Sequence, residues 1–150
     1  MAHAIQLAIA NVHSDRGGPF GAVVVKDGSI IAQGTNQVTS TNDPTAHAEV
    51  IAIREACLKL GVFQLHGCAI YTSCEPCAMC LGAIYWAHIS GIYFATQATD
   101  ASLVGFDDLL IYRELAKPYS ARRIPMIQMM REEALAAFRA WEEKPNKIIY

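Results

Sequence analysis

The sequence is short of charge. Only 17% of its 150 residues are Asp, Glu, Lys or Arg, against 53% hydrophobic. A disordered tail needs the opposite balance. A chain of this length can bury roughly 70% of its unfolded surface, so it needs no stapling by disulfides. There is no excess of either sign: 12 Lys and Arg face 14 Asp and Glu, net −2. That argues against a protein whose main task is coating nucleic acid. The balance is uneven, however. Residues 1–115 hold 5 basic and 10 acidic groups, and residues 116–150 hold 7 and 4, which leaves a modest basic tail. No run of about 18 apolar residues occurs, so no membrane-spanning helix is expected. The opening Met-Ala-His-Ala-Ile-Gln-Leu lacks a basic region followed by a long apolar core, so no signal peptide is read. Repeats, low-complexity runs and Pro/Gly-rich linkers are missing as well. One domain spanning 1–150 is the expectation.

Cysteine is present in an odd number, at 57, 68, 74, 77 and 80. That does not suit a complete disulfide framework. Metal or catalytic use in a reducing cytoplasm suits the cluster at 74–80 better.

Apolar positions at helical spacing (Ile5, Ile9, Val12) predict a helix over 4–13, stopped by Gly17-Gly18. The β-branched run 21–25, the pair Asp27-Gly28 and the run 30–33 predict a hairpin. A polar loop with Asn36 follows over 35–44. A helix is expected over 45–60 and a strand over 68–72. Pro76 suits the first turn of a helix reaching about Trp86. Strands are expected over 91–95 and, more weakly, 124–129. Helices are expected over 107–116 and 131–143, the last with Leu135, Phe138 and Trp141 inward and Pro145 beyond its end. Such alternation predicts an α/β fold with three α-β-α layers around a central mixed five-stranded sheet.

Two short segments carry the chemistry: Thr45-Ala46-His47-Ala48-Glu49 and Glu75-Pro76-Cys77-Ala78-Met79-Cys80. Cys77 and Cys80 lie three apart at a helix start, hence on one face. The positive end of the helix favours their thiolates. With His47 they form a His-Cys-Cys set for Zn²⁺. Three protein ligands leave a fourth tetrahedral corner open to water, the pattern of a catalytic site. Water there loses its proton near neutral pH.

Glu49 lies two residues after His47, and positions i and i+2 diverge in a helix interior. Both can reach one ion only at the extreme N-terminus, and Asn42, Asp43, Thr45 and Pro44 are residues that open helices. Two helix N-termini are therefore expected to converge on one ion, with Glu49 moving protons between water and substrate. A structural zinc ribbon would need a fourth ligand, for which Cys74 is the candidate.

His-x-Glu followed about thirty residues later by Pro-Cys-x-x-Cys is the signature of zinc deaminases that act on nucleobases. Here the chain resembles the cytidine deaminase superfamily, and within it the small bacterial guanine deaminases. The resemblance rests on Gly-Gly-Pro-Phe-Gly-Ala-Val (17–23), Ser-Thr-Asn-Asp-Pro-Thr-Ala-His-Ala-Glu (40–49), Tyr-Thr-Ser-Cys-Glu-Pro-Cys-Ala-Met-Cys-Leu-Gly-Ala-Ile-Tyr-Trp-Ala (71–87), Gly-Phe-Asp-Asp (105–108) and Asn-Lys-Ile-Ile-Tyr (146–150). It implies zinc-dependent hydrolysis of guanine to xanthine and ammonia. It also implies a homodimer in which residues 144–150 cross over to close the partner's site. A cytoplasmic location, no membrane and a small purine base in preference to nucleic acid are the expectations from the cysteine usage, the lack of a long apolar run and the acidic balance of residues 1–115. Glu49 and Asp108 are the implied catalytic pair; Phe20, Asn36, Ala48, Asp108 and Tyr150 are the implied substrate contacts.

The chemistry agrees. Guanine presents N1–H and a 2-amino group along one edge, and a carboxylate accepts from both. Asn36 can pair with a donor and an acceptor, Phe20 can stack on a base, and Tyr150 can act as a lid. On the residues alone each has a plain alternative: Phe20 as core, Asp107-Asp108 as a helix cap, Asn36 as a turn residue, Tyr150 as a frayed end. Two other functions compete. A tRNA adenosine deaminase would need a basic stripe for the phosphate backbone. A zinc-stabilised binding module would need no Glu49.

Overall fold

A computed structural model describes residues 1–150. Four strands, β1 (Gly21–Lys26), β2 (Ser29–Thr35), β3 (Cys68–Cys74) and β4 (Gly91–Thr96), form one sheet in the order β2-β1-β3-β4. Its helices are α1 (Ala2–His13), α2 (Val38–Thr41), α3 (Ala48–Leu60), α4 (Ala78–Trp86), α5 (Ala98–Leu103), α6 (Leu109–Leu115) and α7 (Arg131–Glu143). Asp27 and Gly28 close the β1–β2 hairpin with φ of 47° and 75°. Positive φ at both central residues is what a two-residue hairpin turn of this hand requires. β1 pairs antiparallel with β2 and β3, and β3 runs parallel to β4 across the α4 crossover.

Two glycines set how closely helices approach the sheet. A Cβ on Gly21 would lie 2.4 Å from the Ala4 carbonyl oxygen of α1, and one on Gly34 would lie 2.2 Å from that of Ala48 in α3. Gly21 pairs with Thr35, and Ala22 with Gly34. Neighbouring residues of a strand point to opposite faces, so α1 and α3 cover opposite faces of the sheet. On the α3 side the core joins Ala22, Val24 and Ile70 to Ala48, Ala52 and Ala56 of α3, to Ile84 of α4 and to Ala87 just beyond it. The alanine stripe lets α3 lie flat against the strands. Val50 then packs with Cys77 and Cys80, which couples the first turn of α3 to that of α4.

The chain divides into two compact units, Met1–Leu109 and Leu110–Tyr150. The first holds the whole sheet. The second is tied by local polar contacts. Glu114 pairs with Lys117 at 2.6 Å and accepts from the Arg123 backbone at 2.7 Å, and the Arg122 guanidinium lies 4.7 Å from the Tyr119 ring centre.

The structure corrects several expectations. The sheet has four strands, not five, because 124–129 forms no strand. Ile and Met favour extended backbone there, but Pro125 removes a ladder donor. The side chains of Ile124, Ile127 and Met129 are all exposed. Helix α7 has the expected bounds but not the expected orientation of its stripe: Phe138 is 68% exposed and Trp141 37%. The polar loop after β2 contains the single turn α2, whose Ser40 and Thr41 hydroxyls return to the Gln37 carbonyl at 3.2 and 2.7 Å. Helix α3 starts at Ala48, not 45, since Asp43 folds its carboxylate onto the Thr45 N–H at 2.8 Å in a turn of its own.

Gly34→Ala is expected to cost about 1–3 kcal/mol, because the added methyl meets helix backbone. Gly82→Ala, in open space within α4, is expected to gain about 0.5–1 kcal/mol. Urea unfolding of the two variants beside the parent checks both signs.

Candidate metal and catalytic site

His47 and Cys77 are the N-cap residues of α3 and α4, with extended backbone (ψ 155° and 169°) just before each helix begins. That solves the spacing problem posed by His-x-Glu. His47 lies outside the helix and Glu49 in its first turn, so both side chains reach the same cavity. Cys80 sits in the first turn of α4 and is fully buried.

The His47 Nδ1 lies 3.6 Å from Cys77 Sγ and 3.5 Å from Cys80 Sγ, and the ligand atoms of the three residues all lie within 4.8 Å of one another. A tetrahedral ion with Zn–N bonds of about 2.0–2.1 Å and Zn–S bonds of about 2.3 Å holds its N and S ligands about 3.6 Å apart. The donor set therefore fits zinc in both chemistry and spacing. Cys74 is not part of it: its thiol donates to the Gln97 carbonyl at 3.7 Å. A fourth sulfur, which a zinc ribbon would require, is not supplied.

The two cysteines differ in their acidity. Donation from the Cys80 thiol, with help from His47, pulls Cys77 down to about 4. Cys80 is pushed well above the ordinary thiol range, first by that same bond and then by burial. The His47 imidazole is pushed up, chiefly by its bond to Cys77. Glu49 is buried, and burial raises its carboxyl above the ordinary range. Such a carboxyl is suited to carrying a proton and giving it up again.

His47, Glu49 and Cys77 open into a cavity of about 320 Å³. Phe20, Asn36, His47, Glu49, Cys77 and Asp108 all line it, so most of the expected site residues meet there. Asp108 brings a buried Oδ1 with no hydrogen-bond partner, and burial followed by the Cys77 charge raises its carboxyl. A buried acceptor without a partner costs free energy unless a ligand donates to it. Asn36 keeps its Oδ1 on the protein, accepting from the Gly18 and Val38 N–H groups at 3.3 Å each. Its remaining offer to the cavity is a donor, narrower than the expected donor-and-acceptor role.

Two expected residues stand elsewhere. Ala48 is fully buried in the first turn of α3, against Gly34, and is not among the lining residues. Tyr150 belongs to the second unit.

Three contributors escaped the sequence reading. Phe106 lines the cavity and meets Phe20 edge to face, ring centres 4.9 Å apart at 86°. Its place in Gly-Phe-Asp-Asp was the available signal. Glu75 lines the cavity and accepts from the Ala98 N–H at 3.0 Å, pinning the start of α5 to the strand that delivers Cys77. Asn11 lies behind the wall and left no signal, being a polar residue within an apolar helical pattern.

Residues 1–96 match the family described as the cytidine and deoxycytidylate deaminase zinc-binding region. The chain is 56% identical over 147 residues to the guanine deaminase of Bacillus subtilis, covering 98% of this chain and 94% of that one. The X-ray structure of guanine deaminase from Bacillus subtilis superposes with a TM-score of 0.97 at 55% identity, covering 99% and 95%. A tRNA-specific adenosine deaminase of Aquifex aeolicus is 46% identical, but over 77 residues, 51% of each chain.

The purified chain is expected to carry one zinc ion, by atomic absorption. His47→Ala or Cys80→Ala should abolish retention. Cys74→Ser should keep it, since that sulfur faces Gln97.

Proposed function

The chain belongs to the cytidine and deoxycytidylate deaminase zinc-binding family, and from that premise we propose that it hydrolyses guanine to xanthine and ammonia. The observation that carries the choice of base is Asp108: an unpartnered carboxylate oxygen, buried in the same cavity as His47 and Glu49. Guanine's N1–H and 2-amino group are two adjacent donors for it, where adenine offers an acceptor at N1. Phe20 and Phe106 give the ring an aromatic edge and face, and Asn36 supplies a donor.

His47, Cys77 and Cys80 hold the zinc, which when bound supplies a Lewis acid that makes water nucleophilic near neutral pH. The chain's own groups do the rest. Glu49 takes the proton that the attacking water loses and passes it to a ring nitrogen. C2 becomes tetrahedral as its bond to oxygen forms. Glu49, with Asp108 lining the same cavity, then takes the remaining proton from the hydroxyl now on C2 and returns it to the amino nitrogen; the C2–N bond breaks, C2=O forms and ammonia leaves. Burial of both carboxyls suits them to this traffic. The two helix N-termini oppose the charge of the thiolate pair.

A cavity faced by Glu49, Glu75 and Asp108, with no Lys or Arg in its lining, favours an uncharged free base over a phosphorylated ligand. This places tRNA adenosine deamination second. The likeness to the Aquifex aeolicus enzyme, confined to half of each chain, keeps that reading in the test.

The enzyme acts as a cytoplasmic homodimer in this reading, with residues 144–150 crossing to the partner and Tyr150 excluding water from its site. Two features support the exchange. Tyr93 and Phe94 are exposed on the edge strand β4, and Ile124, Ile127 and Phe138 expose apolar side chains in the second unit. No helix is long and apolar enough to cross a membrane.

Ammonia release from free guanine tests the activity, with an RNA stem-loop carrying a target adenosine as the alternative substrate. Glu49→Gln is expected to lower kcat by about 10²–10⁴-fold while zinc content and melting stay near the parent values. Deleting residues 144–150 should cut guanine turnover sharply with zinc retained. Sedimentation of the full chain should report a dimer.

A further inference from the structure

We propose that Asn11, which lines no part of the cavity, is a positioning residue for purine binding: its side-chain amide fixes the two wall segments that carry Gly18 and Asn36. This rests on the reading of the cavity as a guanine site. Asn11 sits in α1, 1% exposed. Its Nδ2 donates to the Gly18 carbonyl at 2.9 Å and to the Asn36 carbonyl at 2.8 Å. Both acceptors belong to residues that line the cavity, and Asn11 ties them to a helix that otherwise stands behind the wall.

The two segments are also laced to each other. The Asn36 N–H donates to the Phe20 carbonyl at 3.1 Å, and the Asn36 Oδ1 accepts from Gly18 and Val38. The orientation of the Asn36 amide therefore depends on the spacing of the two backbones, and Asn11 sets that spacing. Gly17 marks how tight it is: a Cβ there would lie 2.2 Å from the Asn36 carbonyl oxygen. Asn11 spends both amide protons on these carbonyls and leaves its own Oδ1 buried without a partner. Only a residue with two protons on one planar nitrogen reaches both acceptors from this position. Aspartate has the same shape and none of the protons.

Asn11→Asp and Asn11→Ala are expected to raise KM for guanine about tenfold, with kcat within about twofold of the parent and zinc retained. In an Asn36→Ala background the Asn11→Ala change should add no further rise in KM, since the group it positions is gone. Ile70→Val, a core change remote from the wall, should lower Tm and leave KM unchanged. Should the Asn11 variants fail to fold, Gly17→Ala displaces the same Asn36 carbonyl from the other side and should raise KM alone. Folded Asn11 variants with lowered Tm and parental KM would overturn the proposal. So would a KM effect undiminished in the Asn36→Ala background, or a folded Gly17→Ala with parental KM. A parent chain that releases no ammonia from guanine overturns the functional reading itself, and the proposal with it.

Discussion

Two helices begin at the same point in space, and the chemistry of the chain depends on it. His47 and Cys77 each occupy the last extended position before a helix, where a side chain can fold across the helix end instead of out from its flank. This constraint lets residues 47 and 49 face one centre although they are two apart. It also lets residues 77 and 80 grip one ion while their helix dipole favours their anions. Moving either helix start by one residue would rotate its ligands off the centre. The alanine-lined seat of α3, the close approach at Gly34 and the Val50–Cys77–Cys80 contact all fix those two starts relative to each other.

Electrostatics then separates the roles of similar groups. Cys77, Cys80 and Cys74 are chemically alike and lie within seven residues, yet two face the metal centre and one is spent on a backbone carbonyl. Glu49, Glu75 and Asp108 face one cavity, but Glu75 is engaged with the start of α5, while Asp108 has a buried oxygen with no hydrogen-bond partner. The site is built as much by what occupies the neighbouring groups as by which groups are present.

Local chemistry was legible in the sequence wherever the physics is local. The Asp27-Gly28 turn, the limits of α7 and the His-Cys-Cys spacing each depend on a few consecutive residues or on one motif pair, and each appears in the structure as expected. The fifth strand was not legible in the same way. An apolar stretch such as 124–129 reports a preference for extended backbone, but a strand also needs a partner with free N–H and C=O groups, and Pro125 weakens any such pairing. The stripe of α7 has the same ambiguity: periodicity shows that a helix has an apolar face, not what lies against it. Asn11 and Glu75 were invisible for a third reason. They act by hydrogen bonds to backbone carbonyls and N–H groups more than twenty residues away in part, and no pattern of residue types encodes a distant backbone acceptor.

The family match ends at residue 96, whereas Phe106 and Asp108 come later, beyond the α5 turn that Glu75 holds in place. The zinc ligands and Glu49 thus lie on one stretch of the chain, and Phe106 and Asp108 on another that meets it through the Glu75 carboxylate on the Ala98 N–H, the Cys74 thiol on the Gln97 carbonyl and the Phe20–Phe106 ring contact. A change confined to residues 97–108 would therefore reshape the cavity wall while leaving the three zinc ligands at their two helix starts.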